Sequence, residues 1–173
     1  LLDRSLSTDT FIQGVRVMDL LRSSATILSS ALDKSDISYS MAAYSSESRR
    51  HCYYDIIKTF SENGCQALSR LQELEPAGYT RIGPALRHAT AEISKQKARK
   101  KIVILFTDLK PTDHDFYEGP HGLMDIRKAI LEGQRQGIFF YGLIVNQKRF
   151  TSGRHSVFQP GRFCFVRSSD DIL

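Results

Sequence analysis

The chain has 173 residues, 41% hydrophobic and 25% charged, with a formal net charge of +5. That length supports a full hydrophobic core, and the composition excludes a disordered or low-complexity polypeptide. No apolar run approaches the roughly 20 residues of a membrane-spanning helix, and the modest positive charge allows an acidic partner without demanding nucleic acid.

Taken in order, the chain opens with the segment Leu-Leu-Asp-Arg-Ser-Leu-Ser, an apolar start of strand type followed by Asp3, Ser5 and Ser7 at alternate positions. Ile12, Val15, Met18, Leu21, Ala25, Leu28 and Leu32 then recur at helical spacing and predict one long amphipathic helix. Residues 37–46 alternate as a strand, and residues 51–60 follow as its hairpin partner after a charged turn. A short helix over 66–74 is stopped by Pro76 and Gly78. Ile82, Ala85, Leu86, Ala89 and Ile93 mark the next helix. The continuous apolar run 101–108 has the character of a central parallel strand buried on both faces. A helix over 123–137 ends at Gly137, a natural C-cap. Residues 138–145 form another buried strand and 161–168 a last one. The closing Ser-Ser-Asp-Asp-Ile-Leu reads as the start of a further helix. The chain is therefore expected to be one domain, 1–173, of a longer protein.

Alternating strands and helices predict an α/β fold: a central, mostly parallel sheet with helices on both faces and one antiparallel edge strand. Such sheets place their ligands at the carboxyl ends of the parallel strands. Asp3 after the first strand, Thr80 in a loop entering a helix, and Asp108 at the end of the central strand all belong to that edge. Alternate residues of an extended segment point the same way, so Asp3, Ser5 and Ser7 are expected to present one carboxylate and two hydroxyls to one point. With Thr80 and Asp108 this makes a set of hard oxygen donors, without imidazole or thiol, of the kind Mg2+ or Mn2+ prefers. Asp3 is expected at a polar rim, where its removal leaves no cavity. Neutral hydroxyls leave an ion electron-poor, so a partner's Asp or Glu is the natural further ligand.

The segments Asp-Arg-Ser-Leu-Ser, Gly-Tyr-Thr (78–80) and Phe-Thr-Asp (106–108) resemble the metal-ion-dependent adhesion site of von Willebrand factor A domains, across essentially the whole chain. Segments 14–21, 75–90 and 107–130 resemble the bacterial NorD/CbbO branch, proposed activators of nitric oxide reductase or Rubisco that work beside a MoxR-class AAA+ ATPase. The resemblance implies a Rossmann-like fold. It also implies Asp3, Ser5, Ser7, Thr80 and Asp108 as the metal set, with serines ligating directly and aspartates commonly acting through water. Two departures stand out: Arg4 beside the motif, its side chain expected to point away, and Leu109 where glycine is common.

Other features have plainer readings. Ser7 or Thr8 could cap a helix. The segment 111–119, with Asp113, His114, Asp115, Tyr117 and Glu118, either lines the metal rim or is a solvated acidic loop. Asp9 either reaches the rim or, as the residue entering a helix, complements the helix dipole, the second being preferred. The basic run 95–101 could be a phosphate-binding patch, but its place at a helix end favours a solvated face; Arg49, Arg50 and His51 are expected to be solvated and His88 structural. Cys52, Cys65 and Cys164 lack CxxC spacing, fit a reducing cytosol and read as buried small hydrophobes. Two classes of function follow. One is a metal-dependent interaction module in an ATPase-driven activator, with a cobaltochelatase-like subunit as a relative of that reading. The other is a Mg2+-dependent phosphohydrolase. The enzyme would need a general acid two residues after Asp3, where Ser5 stands, so the non-enzymatic reading is preferred.

Overall fold

The protein was obtained as a computed structural model that describes residues 1–145 and 157–166; of Cys65 only the backbone is described. Its main strands are β1 (Leu2–Asp3), β4 (Met41–Ser48), β5 (His51–Lys58), β6 (Lys101–Thr107), β9 (Ile138–Val145) and β10 (Phe163–Val166). They form one sheet in the order β10-β9-β6-β1-β4-β5. Every neighbouring pair is parallel except β4 and β5, which form the antiparallel edge hairpin. Helices α1 (Val17–Lys34), α2 (Gly64–Gln72), α3 (Ile82–Ser94) and α4 (Gly119–Gln134) complete the main frame.

The period-two alternation of the strands sorts side chains between two cores. Val103 and Leu105 of β6, Tyr44 of β4 and Phe140 of β9 pack with Ile82 and Leu86 of α3 and Ile126 and Ile130 of α4. Phe106, Ala43 and Val145, from the same strands, face the other way and pack with Met18 and Leu21 of α1 and Leu71 of α2. The sheet is thus covered on both faces. The two-residue β1 fits between β4 and β6 because Leu2 is buried and both its neighbours pair with it in parallel. Among the described residues, no helix is long and apolar enough to cross a membrane.

Two small hairpins depart from the sequence reading. Ile12 and Val15 do not belong to the long helix, which starts only at Val17. They sit in β2 (Phe11–Ile12) and β3 (Val15–Arg16), joined through Gln13 and Gly14, both with positive φ. A two-residue turn of left-handed conformers suits a tight hairpin, and the three-residue spacing of Ile12 and Val15 imitated helical periodicity. A second hairpin, β7 (Thr112–Asp113) with β8 (Tyr117–Glu118), follows β6. Cys52 and Cys164 are exposed rather than buried; among the described residues both lie on the outermost strands of the sheet. The closing segment 168–173 lies outside the described residues.

Gly78 shows how tightly the loops at the carboxyl edge are set. Its φ is +65°, and a Cβ there would stand 2.5 Å from the Ser46 carbonyl oxygen. Gly137, just past α4, has φ +78° with nothing within 4 Å of such a Cβ. Left-handed backbone costs an L-residue about 1–2 kcal/mol at either place. Gly78→Ala is therefore expected to destabilise the chain measurably more than Gly137→Ala in urea denaturation, the excess reporting the overlap with Ser46. Equal losses would show that the Gly78 loop yields freely.

Candidate metal centre

The carboxyl edge of the sheet brings together three loops, following β1, α2 and β6. The first continues from Asp3 into a short 3₁₀ turn, Leu6–Asp9. The alternating, extended arrangement expected of Asp3, Ser5 and Ser7 holds only as far as Ser5; Ser7 lies inside the turn. The turn nevertheless brings the hydroxyls together. Ser5 Oγ donates to Asp3 Oδ1 at 2.6 Å, and Ser5 and Ser7 Oγ stand 3.0 Å apart. Since the single Ser5 hydroxyl proton goes to Asp3, Ser7 must be the donor to Ser5. The protons thus point inward along Ser7, Ser5 and Asp3, which leaves serine lone pairs free to face outward. Neither Ser7 nor Thr8 caps α1, whose N-cap position is Arg16.

Asp3 is not at a solvated rim. It is fully buried, and its carboxylate accepts four hydrogen bonds. Oδ1 takes the Ser5 N–H at 3.0 Å besides the Ser5 hydroxyl. Oδ2 takes Thr107 Oγ1 at 2.7 Å and the Tyr44 hydroxyl at 3.1 Å. Burial, with the Asp108 charge added, pushes the Asp3 carboxyl up to about 6 against these hydrogen bonds. Burial and the Asp3 charge likewise push the Tyr44 phenol well above its ordinary value. Tyr44 and Thr107 were missed in the sequence: one reads as a core aromatic, the other as the end of an apolar run.

The second loop carries Thr80, itself buried. Its backbone is stitched on all sides. Ala77 N–H donates to Arg4 O at 2.6 Å, and Leu6 N–H to Gly78 O at 3.0 Å, tying it to the first loop. Tyr79 pairs with Ser46 at the end of β4, and Thr80 with Thr112 beyond β6. Arg81 then reaches Asp113 at 2.9 Å and lies over the Tyr117 ring. Asp113 also accepts the Ser46 hydroxyl at 2.7 Å. So segment 111–119 is not simply a solvated acidic loop: Asp113 and Tyr117 are buried and hold the Thr80 loop, while His114, Asp115, Phe116 and Glu118 are exposed.

The third loop begins with Asp108. Its side chain is fully buried, and its Oδ1 accepts the Lys110 N–H at 3.2 Å. Oδ2 receives no hydrogen bond. Lys110 Nζ lies 3.0 Å from it, near enough for an ion pair but outside hydrogen-bonding direction. Leu109, which replaces the expected glycine, takes the left-handed φ of +53° with its side chain buried in the core. The loop therefore keeps the glycine-like conformation at some strain and gains an apolar anchor.

The remaining polar residues fall away from this edge as pairs. Arg4 points outward to Asp55 at 2.6 Å, as expected. Asp9 pairs with Arg16 at 2.7 Å instead of facing a helix terminus directly. His88 stacks on Tyr54. Lys95 pairs with Glu92, and Arg49 with Asp115. Among the described residues, no three of His, Cys, Asp and Glu come together as a metal cluster. An ion at this edge would depend on hydroxyls. The donor chemistry fits a hard divalent cation: outward serine lone pairs, Thr80 on the adjoining loop, and a buried carboxylate oxygen with no hydrogen-bond donor.

A doubly covered, mostly parallel sheet with an Asp-x-Ser-x-Ser turn, a threonine loop and an aspartate at one edge defines a class of α/β domain built around a hydroxyl-rich loop cluster. The chain belongs to the von Willebrand factor type A domain family, whose model matches residues 1–172. It is 35% identical over 149 residues to "Protein NorD" of Brucella suis and 33% over 150 residues to that of Stutzerimonas stutzeri. Each match covers 86% of this chain but 24% of the relative, so the chain spans about a quarter of their length. The fold resembles BatB from Bacteroides thetaiotaomicron, with TM-score 0.72 and 17% identity over 98% of this chain and 89% of that one. It also resembles mussel proximal thread matrix protein 1, described with a zinc-occupied metal-site motif, with TM-score 0.66 and 15% identity over 99% of this chain and 41% of that one.

The hydrogen bonds of Asp3 make a prediction that reverses the rim expectation. Asp3→Ala would strand the Tyr44 and Thr107 hydroxyls and the Ser5 N–H. Asp3→Asn can present its oxygen to Ser5 and its amide to the two hydroxyls, while removing a buried charge. Without metal, Asp3→Ala is expected to melt below Asp3→Asn by about 1–3 kcal/mol, or roughly 2–10 °C. Thermal melts of the two variants in chelator check this; equal melting temperatures would show the hydrogen bonds at position 3 to be structurally idle.

Proposed function

We propose that this chain is a divalent-metal-dependent protein-interaction module in an accessory protein, acting by binding and not by catalysis. Asp3, Ser5, Ser7, Thr80 and Asp108 hold Mg2+, or Mn2+ in its place. The observation that carries the reading is the hydrogen-bonded row of Ser7, Ser5 and Asp3 oxygens beside an Asp108 oxygen that receives no hydrogen bond. When bound, the ion supplies a positive point that a partner's Asp or Glu can ligate. Asp3 works behind the serines: both its oxygens are engaged, so it orients Ser5 and contributes its charge at one remove. Asp108 is the carboxylate with an oxygen to spare. Ser5, two residues after Asp3, cannot act as the general acid of a phosphohydrolase, which supports binding over turnover.

The similarity to NorD proteins supports a more specific role. The chain forms one domain, 1–173, of a longer cytoplasmic protein. It works beside a MoxR-type AAA+ ATPase to activate a metabolic enzyme, nitric oxide reductase or Rubisco, and the partner that supplies the carboxylate belongs to this assembly.

Pull-down of the chain with the MoxR-type ATPase and its target enzyme tests this. Complex is expected with Mg2+, to be lost in EDTA and to return with excess Mg2+. Ser5→Ala and Thr80→Ala are expected to weaken it on the order of tenfold or more. Lys97→Ala, on the exposed basic run before the start of β6 and so at the opposite end of that strand from Asp108, is expected to leave it unchanged. Binding indifferent to both EDTA and Ser5→Ala would overturn the metal-bridged mechanism.

A further inference from the structure

The sequence around Asp108 places a cation beside a buried carboxylate. Lys110 follows Leu109, whose side chain is fully buried and whose N–H donates to Thr107 Oγ1 at 3.0 Å. Pro111 comes next, buried, and Thr112 is paired in both directions with Thr80. The backbone is therefore anchored on both sides of Lys110, which turns it back over Asp108 through its own N–H contact with Oδ1. The ammonium sits 3.0 Å from Oδ2 of a fully buried side chain, and the Lys110 side chain as a whole is only 22% exposed.

Among the described residues, the other basic groups near these loops are committed elsewhere. Arg4 is paired with Asp55, and Arg81 with Asp113. Among the described residues Lys110 is thus the cation that answers the Asp108 charge, and Asp3 is a second carboxylate close enough to be affected by Asp108. A buried carboxylate without a hydrogen bond on one oxygen is unfavourable unless a positive charge stands by. A divalent ion at the same edge requires that same oxygen, directly or through a water, and would repel the ammonium.

We propose that Lys110 is a tethered competitor of the metal: its ammonium takes the ion's electrostatic place on Asp108, and an incoming ion must displace it. This rests on the metal-site reading above and adds what sets the affinity of that site. Lysine suits the task, being a compact charge on a flexible stem that can swing into water and be rehydrated. The site then exchanges one cation for another. It fills only when the divalent ion, assisted by a partner's carboxylate, outweighs the resident ammonium.

The test is calorimetric titration of the chain with MnCl2, alongside melts in chelator. Lys110→Met keeps the length of the stem without the charge. It is expected to bind Mn2+ roughly three- to tenfold more tightly than wild type, the range a partly exposed ion pair commands. Its metal-free form is expected to melt lower, because Asp108 loses its counter-charge. These opposite signs separate competition from a purely structural role, which would weaken folding and metal binding together. Lys110→Arg is expected to remain near wild type, and Lys110→Gln, neutral and more polar, to repeat the Met result should the Met variant fold poorly. Wild-type binding with equal or weaker binding by both neutral variants would overturn the competition while leaving the metal site standing. No Mn2+ binding by wild type or by either neutral variant would overturn both.

Discussion

At the end of β1 a carboxylate is held out of water by four hydrogen bonds drawn from three strands or their loops. Ser5 approaches Asp3 from its own turn, Tyr44 from β4 and Thr107 from β6. The two flanking strands pair with β1 through only a few residues, so these side-chain bonds reinforce a short strand where its backbone ladder is weakest. They also fix the direction of the Ser5, Tyr44 and Thr107 hydroxyl protons. Deleting the carboxylate would leave hydroxyls buried among apolar neighbours, which is more damaging than never having buried them.

The loops beyond that point are held by one another more than by the sheet. The Thr80 loop is bonded to the first loop through Arg4 and Leu6, to β4 through Ser46, and to the third loop through Thr112. Arg81 and Asp113 add a buried ion pair, satisfied further by Ser46 and by the His114 carbonyl. Such a pair adds little net stability compared with apolar packing, but breaking one partner is costly, so it specifies a single arrangement of the two loops. Positive φ values at Leu109, Asp115 and Phe116 lie within the same region. Strain gathered at one edge and counterbalanced by interlocking bonds is the pattern of a preorganised site.

The main frame was legible in the sequence because periodicity reports burial. Residues 101–107 and 138–145 read as buried strands, and 82–93 as a helix, since each has one dominant period and a turn signal at its end. The small hairpins were not legible. Ile12 and Val15 fit a helix by spacing, and only the conformations of Gln13 and Gly14 exclude it. Cys52 and Cys164 misled because cysteine reports apolar character, not the position of its strand within the sheet. The loop motifs located the site's edge, but not its supports. Tyr44, Ser46, Arg81 and Asp113 act through pairings of long sequence separation, which no local pattern encodes.

The two aspartates of the edge are chemically alike and differ only in how their oxygens are occupied. Asp3 is saturated, with both oxygens accepting two hydrogen bonds, so it acts on its surroundings through the Ser5 hydroxyl it orients. Asp108 is unsaturated, with one oxygen facing a mobile type of cation and no donor. Environment, not residue type, divides the labour between them, as it does in acid–base pairs of enzymes. In the proposed metal-bound form this division leaves the ion with one carboxylate within direct reach and a ring of neutral hydroxyls. Its charge is then under-compensated toward solvent, and the remaining attraction is aimed outward, along the line by which an acidic side chain of another protein would arrive. The net charge of +5 adds a diffuse attraction of the same sign, effective within roughly a Debye length and weakened by salt. The same electrostatics explains why the apo site needs a counter-ion of its own: two buried carboxylates cannot both remain ionised cheaply unless some cation, tethered or free, stands between them and the solvent.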